Sequence, residues 1–239
     1  MMNVFKNHPD LVFAFSKIKD GNMSFFKSEA DKILENRKKF LASLGLDFNS
    51  VVNVELENNI KIKCIDSSDL GKITPKGNFI KTDGLLTNQR DVYLFMVIAD
   101  CLALAFYDLK HQTIGLIHVS RINLEKEIIK EAVKSMEINF NSKPQDLLVE
   151  FSPSIGPCCY KPFISNESGV KLRNYLKDDS LDIWSWAKDQ LKEAGLLSEN
   201  IHNSQVCTYC SGEYFSHKRY LNENLENDFR FAAVFGLKK

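Results

Sequence analysis

The stretch IADCLALAFYDLKHQTIGLIHVS, residues 98–120, decides the fold. Within it LALAFY at 102–107 and TIGLIHV at 113–119 are apolar runs of strand character, and the polar residues between them turn the chain. A parallel pair would need a crossover of a dozen or more residues, so two runs this close form an antiparallel hairpin. With 108–111 as the turn, Cys101 stands opposite His118, and directly opposed Cβ atoms lie roughly 4.5–5.5 Å apart. A one-residue change of turn would leave the pair diagonal but still close. A thiol and an imidazole at that separation suit a nucleophile and its base, or two ligands of one metal ion. A buried cysteine beside a hydrogen-bonded histidine within a sheet is the plainer alternative. Asp100 either orients His118 or caps a turn, and the turn is the preferred reading.

Working outward, further strand-like runs occupy 11–15, 51–56, 60–65 (IKIKCI), 92–98, 147–151 and 231–237. A helix over 29–44 is expected to open at Ser28, with Asp31 completing a capping box, and to close at Gly45. Leu124, Ile128, Ile129, Val133 and Met136 recur at helical spacing behind Asn123 as a candidate cap, and 168–177 and 181–194 read as two more helices, the last closed by Gly195. Short loops between neighbouring strands favour antiparallel pairing. The expected class is therefore α+β: one domain over 1–239, with mixed, mainly antiparallel sheets flanked by about four helices.

The 239 residues carry 31 Lys plus Arg and 31 Asp plus Glu. A balanced charge offers no basic field for a nucleic-acid backbone or an anionic membrane. The longest apolar run, 92–99, is far short of the roughly 20 residues a membrane helix requires. MMNVFKNHPD at the N-terminus has no apolar region ending in a small-residue cleavage site, so cytoplasmic localisation is expected. Six cysteines are too sparse for a disulfide scaffold and read as thiols. Cys207 and Cys210 form a CxxC, half of a zinc knot or a redox pair. No second CxxC exists, and adjacent Cys158 and Cys159 look awkward as partners on one ion, so a four-sulfur site is not expected. His8, His111 and His202 read as structural or exposed, and FSHKR at 215–219 as a basic loop.

Several phrases together resemble one family, the laccase-domain (YfiH-like) proteins, also called multicopper polyphenol oxidases, peptidoglycan editing factors and purine nucleoside phosphorylases. They include GNMS at 21–24, ENRKKFLASLGLD at 35–47, TDGLLTN at 82–88, ADCLALAFYD at 99–108, IGLIHV at 114–119, SIGPCCY at 154–160, CTYC at 207–210, FSHKR at 215–219 and RFAAVFGL at 230–237. The resemblance implies a zinc or copper ion held by two histidines and a cysteine, with Cys101 and His118 in two of those places. The phrase that should carry the first histidine is VELENNI at 54–60, which puts Leu56 there, with Glu57 a weak substitute that would need a local turn. HVSRIN at 118–123 also departs from the family's pattern after His118. Metal binding is therefore expected to be weak or absent.

The activity implied is phosphorolysis of purine nucleosides or deamination of adenosine. Purine nucleoside and phosphate are the partners, Cys101, His118 and Arg219 the catalytic groups, and Arg37, His217 and Arg230 the substrate or phosphate contacts. One alternative is a metal-independent Cys–His amidohydrolase that edits peptidoglycan precursors. Another is a binding protein of the same fold without turnover. Multicopper oxidation would require many more histidines than the five present.

Overall fold

A computed structural model describes residues 5, 7–70, 80–162 and 169–239. Much of the N-terminal segment on which the leader reading rests, and the first residue of the helix expected over 168–177, lie outside these described residues. In chain order the strands are β1 (Leu11–Phe15), β2 (Val51–Glu55), β3 (Ile62–Cys64), β4 (Ile80–Lys81), β5 (Gly84–Thr87), β6 (Tyr93–Ile98), β7 (Leu102–Asp108), β8 (Thr113–Val119), β9 (Leu147–Phe151), β10 (Leu176–Lys177), β11 (Ser180–Leu181), β12 (Ile201–Asn203) and β13 (Phe231–Leu237). The helices are α1 (Ala30–Ser43), α2 (Arg121–Glu125), α3 (Ile128–Phe140), α4 (Val170–Arg173), α5 (Ile183–Glu193), α6 (Thr208–Ser211) and α7 (His217–Asn222).

The hairpin forms, but with its four-residue turn one position further along the chain than expected. Asp108 pairs with Thr113, leaving residues 109–112 as the loop, because the Asp108 carboxylate accepts from the N–H groups of Lys110 (2.9 Å) and His111 (3.1 Å). His118 is therefore opposite Ala103 rather than Cys101. The shift is two residues, and side chains alternate with period two, so Cys101 and His118 keep a common face and become diagonal neighbours.

Three apolar clusters set the layers. Alternate residues of β7 and β8 point to opposite sides: Leu104, Phe106 and Ile117 pack on α3 and α5, while Ala103, Ala105 and Leu116 meet Leu94, Met96 and Phe235 of a second sheet. That second sheet turns Phe95 and Val234 to Phe40 and Leu41 of α1. The order is thus helix, sheet, sheet, helices, with both sheets covered on both faces. One sheet runs β1-β13-β6-β2-β4 and the other β12-β9-β7-β8-β5-β3. Among the described residues, and including the small β10–β11 pair, six pairings are antiparallel and four parallel. The class is mixed α and β with mainly antiparallel sheets.

Local readings need four corrections. Glu29, not Ser28, is the N-cap of α1, because the Ser28 hydroxyl is engaged by Asn22 and Phe26. The helix behind Asn123 is two helices: Ser120 and Asn123 form the capping box of α2, and the left-handed backbone at Glu127 (φ 63°) breaks the run before α3. Of the helix over 168–177 only Val170–Arg173 is helical among the described residues, and Leu176–Lys177 turns into a strand. FSHKR is not a loop: Ser216 caps α7, which holds His217, Lys218 and Arg219.

Gly236 lies opposite Tyr93, between β1 and β6, and a Cβ there would sit 2.1 Å from a carbon of the buried Tyr93 ring. Gly236→Ala should destabilise the protein by about 1–3 kcal/mol through overpacking, a fall of roughly 3–10 °C in Tm, read by thermal unfolding. An unchanged midpoint would show that the ring can move aside without cost.

Candidate functional site

Asp83 immediately precedes β5, and the pairing of Gly84 with Ile117 brings it against the end of β8. Its backbone carbonyl accepts the His118 N–H (2.7 Å), and its carboxylate lies 2.7 Å from His118 Nδ1. The same carboxylate accepts N–H donors from the turn after β2: Glu57 (3.2 Å), Asn58 (3.0 Å) and Asn59 (2.9 Å). Asp83 is fully buried and His118 nearly so. On its other side the His118 ring neighbours the Cys101 thiol, diagonal to it across the hairpin and close enough to act on its ionisation, so that Asp83, His118 and Cys101 follow one another in a line. Asn123 Nδ2 donates to the His118 carbonyl (3.0 Å), fixing the end of β8.

Burial opposes a charged imidazole, but the sulfur of Cys101 and the Asp83 carboxylate outweigh it, and the His118 pKa rises from 6.5 to about 9. Burial alone would raise the Asp83 carboxyl. The His118 bond and the backbone N–H groups reverse this, and Asp83 is held below the ordinary value of 3.8. A carboxylate fixing one side of an imidazole whose other side meets a thiol is an arrangement that holds and transfers a proton.

Cys101 opens into a cleft of about 390 Å³, lined also by Arg121, Tyr160, Lys161, His217 and Lys218. Burial and the nearby Cys101 push the Tyr160 hydroxyl up to about 12, with Arg121 acting in the opposite sense. Three permanent cations around a thiol make this wall electropositive. Asp100, in the left-handed region (φ 75°), does not serve His118. Its carboxylate accepts from Thr208 Oγ1 (2.6 Å), Ser216 Oγ (3.0 Å) and the Lys218 N–H (2.6 Å), which hold α7 beside the cleft. A larger depression of about 690 Å³ beside α1 contains no Cys or His.

The other expected contacts lie elsewhere. The Arg219 guanidinium is turned to the carbonyls of Thr208 (2.7 Å), Tyr209 and Tyr214 (3.1 Å), and it does not line the cleft. Its place is that of a clamp between α6 and α7. Arg37, Arg230 and Leu56 line a second cleft of about 540 Å³ that shares no residue with the first. Arg37 Nε donates to Met23 O (2.8 Å), the guanidinium lies between the rings of Phe25 and Phe95, and burial lowers its pKa to about 9. Arg230 is bound to the Asp228 carboxylate, which also meets His217 Nδ1 at 2.9 Å. Asp83, Arg121 and Tyr160 were not found by sequence reasoning. For Asp83 the available signal was an acid directly before a strand in TDGLLTN.

The residues present do not fit a three-ligand catalytic ion. Cys101 and His118 supply two donors, Leu56 supplies none, and the Glu57 carboxylate is engaged by Asn59 (2.7 Å) and Lys61 (3.2 Å). A catalytic zinc requires about three protein ligands and an open position.

Asp83→Asn should destabilise the protein by about 3 kcal/mol near pH 6, since one partner of a buried pair is removed. A histidine raised from 6.5 to about 9 contributes stability that is complete below 6.5 and lost as pH rises through 9. The gap between wild type and variant should therefore narrow above pH 7 and be smallest beyond 9. It should also shrink on acidification below 3.8, where Asp83 itself is protonated in the unfolded chain. Denaturant unfolding across this range checks it, and a pH-independent gap would contradict the charged pair.

A family model described as multi-copper polyphenol oxidoreductase laccase matches residues 15–235. Purine nucleoside phosphorylase YlmD of Bacillus subtilis is 26% identical over 200 residues, 78% of this chain and 72% of that protein. A purine nucleoside phosphorylase of Borreliella burgdorferi is 32% identical over 150 residues, 59% of this chain and 65% of that protein. The crystal structure of YlmD from Geobacillus stearothermophilus superposes with a TM-score of 0.86 at 23% identity, covering 98% of this chain and 94% of that one. YfiH of Bacillus licheniformis gives 0.84 at 23% identity over 95% and 93%. With the family match spanning nearly the whole sequence, the chain belongs to the multi-copper polyphenol oxidoreductase laccase family.

Proposed function

We propose that this chain is a purine nucleoside phosphorylase that works through Cys101 and His118 without a metal at that pair. The observation carrying the reading is the cleft in which Cys101, beside the Asp83-oriented His118, faces Arg121, Lys161 and Lys218. The relatives named purine nucleoside phosphorylase support the substrate class. In this reaction hydrogenphosphate attacks the anomeric carbon, the glycosidic C–N bond breaks, and the purine leaves with the electron pair. The leaving base takes a proton from the Cys101–His118 pair, and the proton lost by hydrogenphosphate restores that pair. Arg121, Lys161 and Lys218 hold the phosphate, a role better suited to their place in the cleft than to that of Arg219. Tyr160, whose high pKa keeps it a hydroxyl, can donate to the nucleoside.

A second reading rests on the same Asp83–His118–Cys101 line, which suits a thiol nucleophile attacking an amide or amidine carbon. That chemistry needs no phosphate, so phosphate dependence separates the two.

Inosine and adenosine should be cleaved to free base only when phosphate is present. Cys101→Ser should lower turnover by at least about 10²-fold. Arg121→Gln should raise the KM for phosphate about tenfold with a smaller change for nucleoside, the loss of roughly 1.4 kcal/mol of binding. Phosphate-independent ammonia release would favour the thiol hydrolase. Turnover no faster than that of Cys101→Ser on any of these substrates would leave the binding-protein account standing.

A further inference from the structure

Expectation from sequence spacing set Cys158 and Cys159 apart from Cys207 and Cys210; the fold brings them together. All four sulfurs lie within 4.8 Å of one another, with Cys210 Sγ 3.6 Å from Cys158 Sγ and 3.2 Å from Cys159 Sγ. Four sulfurs at about 2.3 Å from a zinc ion stand roughly 3.8 Å apart on a tetrahedron, and the observed spread brackets that value. The parallel bridge between Ser154 and Cys207 explains the convergence: Thr208 N donates to Ser154 O (3.0 Å), bringing the 156–160 turn alongside the start of α6. Adjacent cysteines are no obstacle here, because the turn at 157–159 curls both side chains toward Cys210.

Beyond the clustering, the site has a backbone donor of its own. The Gly156 N–H donates to Cys207 Sγ at 3.3 Å. N–H donors aimed at a sulfur stabilise the thiolate that a metal requires. Four convergent sulfurs are the donor set that a soft dication takes.

We propose that Cys158, Cys159, Cys207 and Cys210 form a structural tetrathiolate site for one zinc ion, separate from the Cys101–His118 pair. Binding releases the thiol protons to solvent and changes no oxidation state. The ion fastens the 156–160 turn to α6, and both segments brace the cleft: Ile155 N donates to Asp100 O (2.9 Å), Tyr160 lines the cleft, and Thr208 holds the Asp100 carboxylate. With four ligands and no open position, the ion holds the loops together and does not activate water.

The test is metal analysis of the full chain, purified in reducing buffer without chelator. About one zinc per chain is expected, retained in Cys101→Ser and His118→Ala. Cys207→Ser and Cys159→Ser should each weaken zinc retention against a competing chelator by at least about 100-fold, the scale of tuning a ligand shell. Because a cysteine variant can fail to fold, the intact chain is also stripped and reloaded with cobalt(II). Strong sulfur-to-metal charge-transfer bands with tetrahedral visible bands, unchanged in Cys101→Ser, are expected, as is a rise in Tm on reloading. Zinc lost with Cys101→Ser but kept in the cluster variants would overturn the proposal. So would a disulfide among the four in protein kept reduced, or a cobalt spectrum without sulfur ligation. None of these readouts depends on turnover, so the site stands or falls apart from the phosphorylase reading.

Discussion

A carboxylate taken wholly out of water must be given partners in return, and Asp83 organises this molecule around that demand. A buried, unpaired charge is costly enough that the surrounding backbone has to converge on it. Here the donors come from three directions: the N–H groups of the 57–59 turn, the ring of His118, and, through the Asp83 carbonyl, the backbone of β8. The end of β2, the start of β5 and the end of β8 are thereby fixed relative to one another where the two sheets meet. Cys101 reaches the cleft already beside an oriented imidazole because of that convergence. Asp100 plays the matching part on the opposite wall, drawing α6 and α7 in through Thr208, Ser216 and Lys218.

What could be read from the sequence follows the strength of local signals. Seven-residue apolar strands such as β7, β8 and β13 announce themselves, since each is buried along its whole length. The layering did not, because strands covered on both faces lose the alternation that would mark an inside and an outside. The turn of the central hairpin lies one residue further on than the apolar pattern suggests, because the Asp108 carboxylate accepts from the N–H groups of Lys110 and His111, a contest between side chain and backbone that hydrophobic pattern cannot weigh. Helix boundaries around 120–128 failed for the same reason, with Ser120 and Asn123 capping a turn earlier than the apolar periodicity suggests.

The site was legible in its two reactive residues and obscure in their support. Cys101 and His118 sit on one hairpin, so their proximity is nearly a local property. Asp83 lies 35 residues from His118, and Cys207 lies 51 from Gly156. Such contacts are created by strand order, here β5 beside β8 and the bridge of Ser154 to Cys207. A basic residue near a family phrase does not reveal where its guanidinium points. Arg219 spends its donors on three carbonyls of its own neighbourhood, while Arg121 reaches the cleft from the first turn of α2.

A histidine backed by a carboxylate serves equally as a metal ligand or as a proton carrier, since in both cases the carboxylate fixes the ring and raises its basicity. The geometry of Asp83 and His118 therefore does not choose between the two uses; the third donor does. Leu56 has no lone pair to give, and Glu57 cannot replace it while its carboxylate is committed to Asn59 and Lys61 and its N–H to Asp83. Freeing Glu57 would mean breaking the turn that satisfies the buried Asp83, so the rescue would undo the orientation of the very histidine it was meant to join. The donor set that remains favours acid–base work by Cys101 and His118. The soft-metal donors of this chain are concentrated instead in the four sulfurs behind the Tyr160 wall.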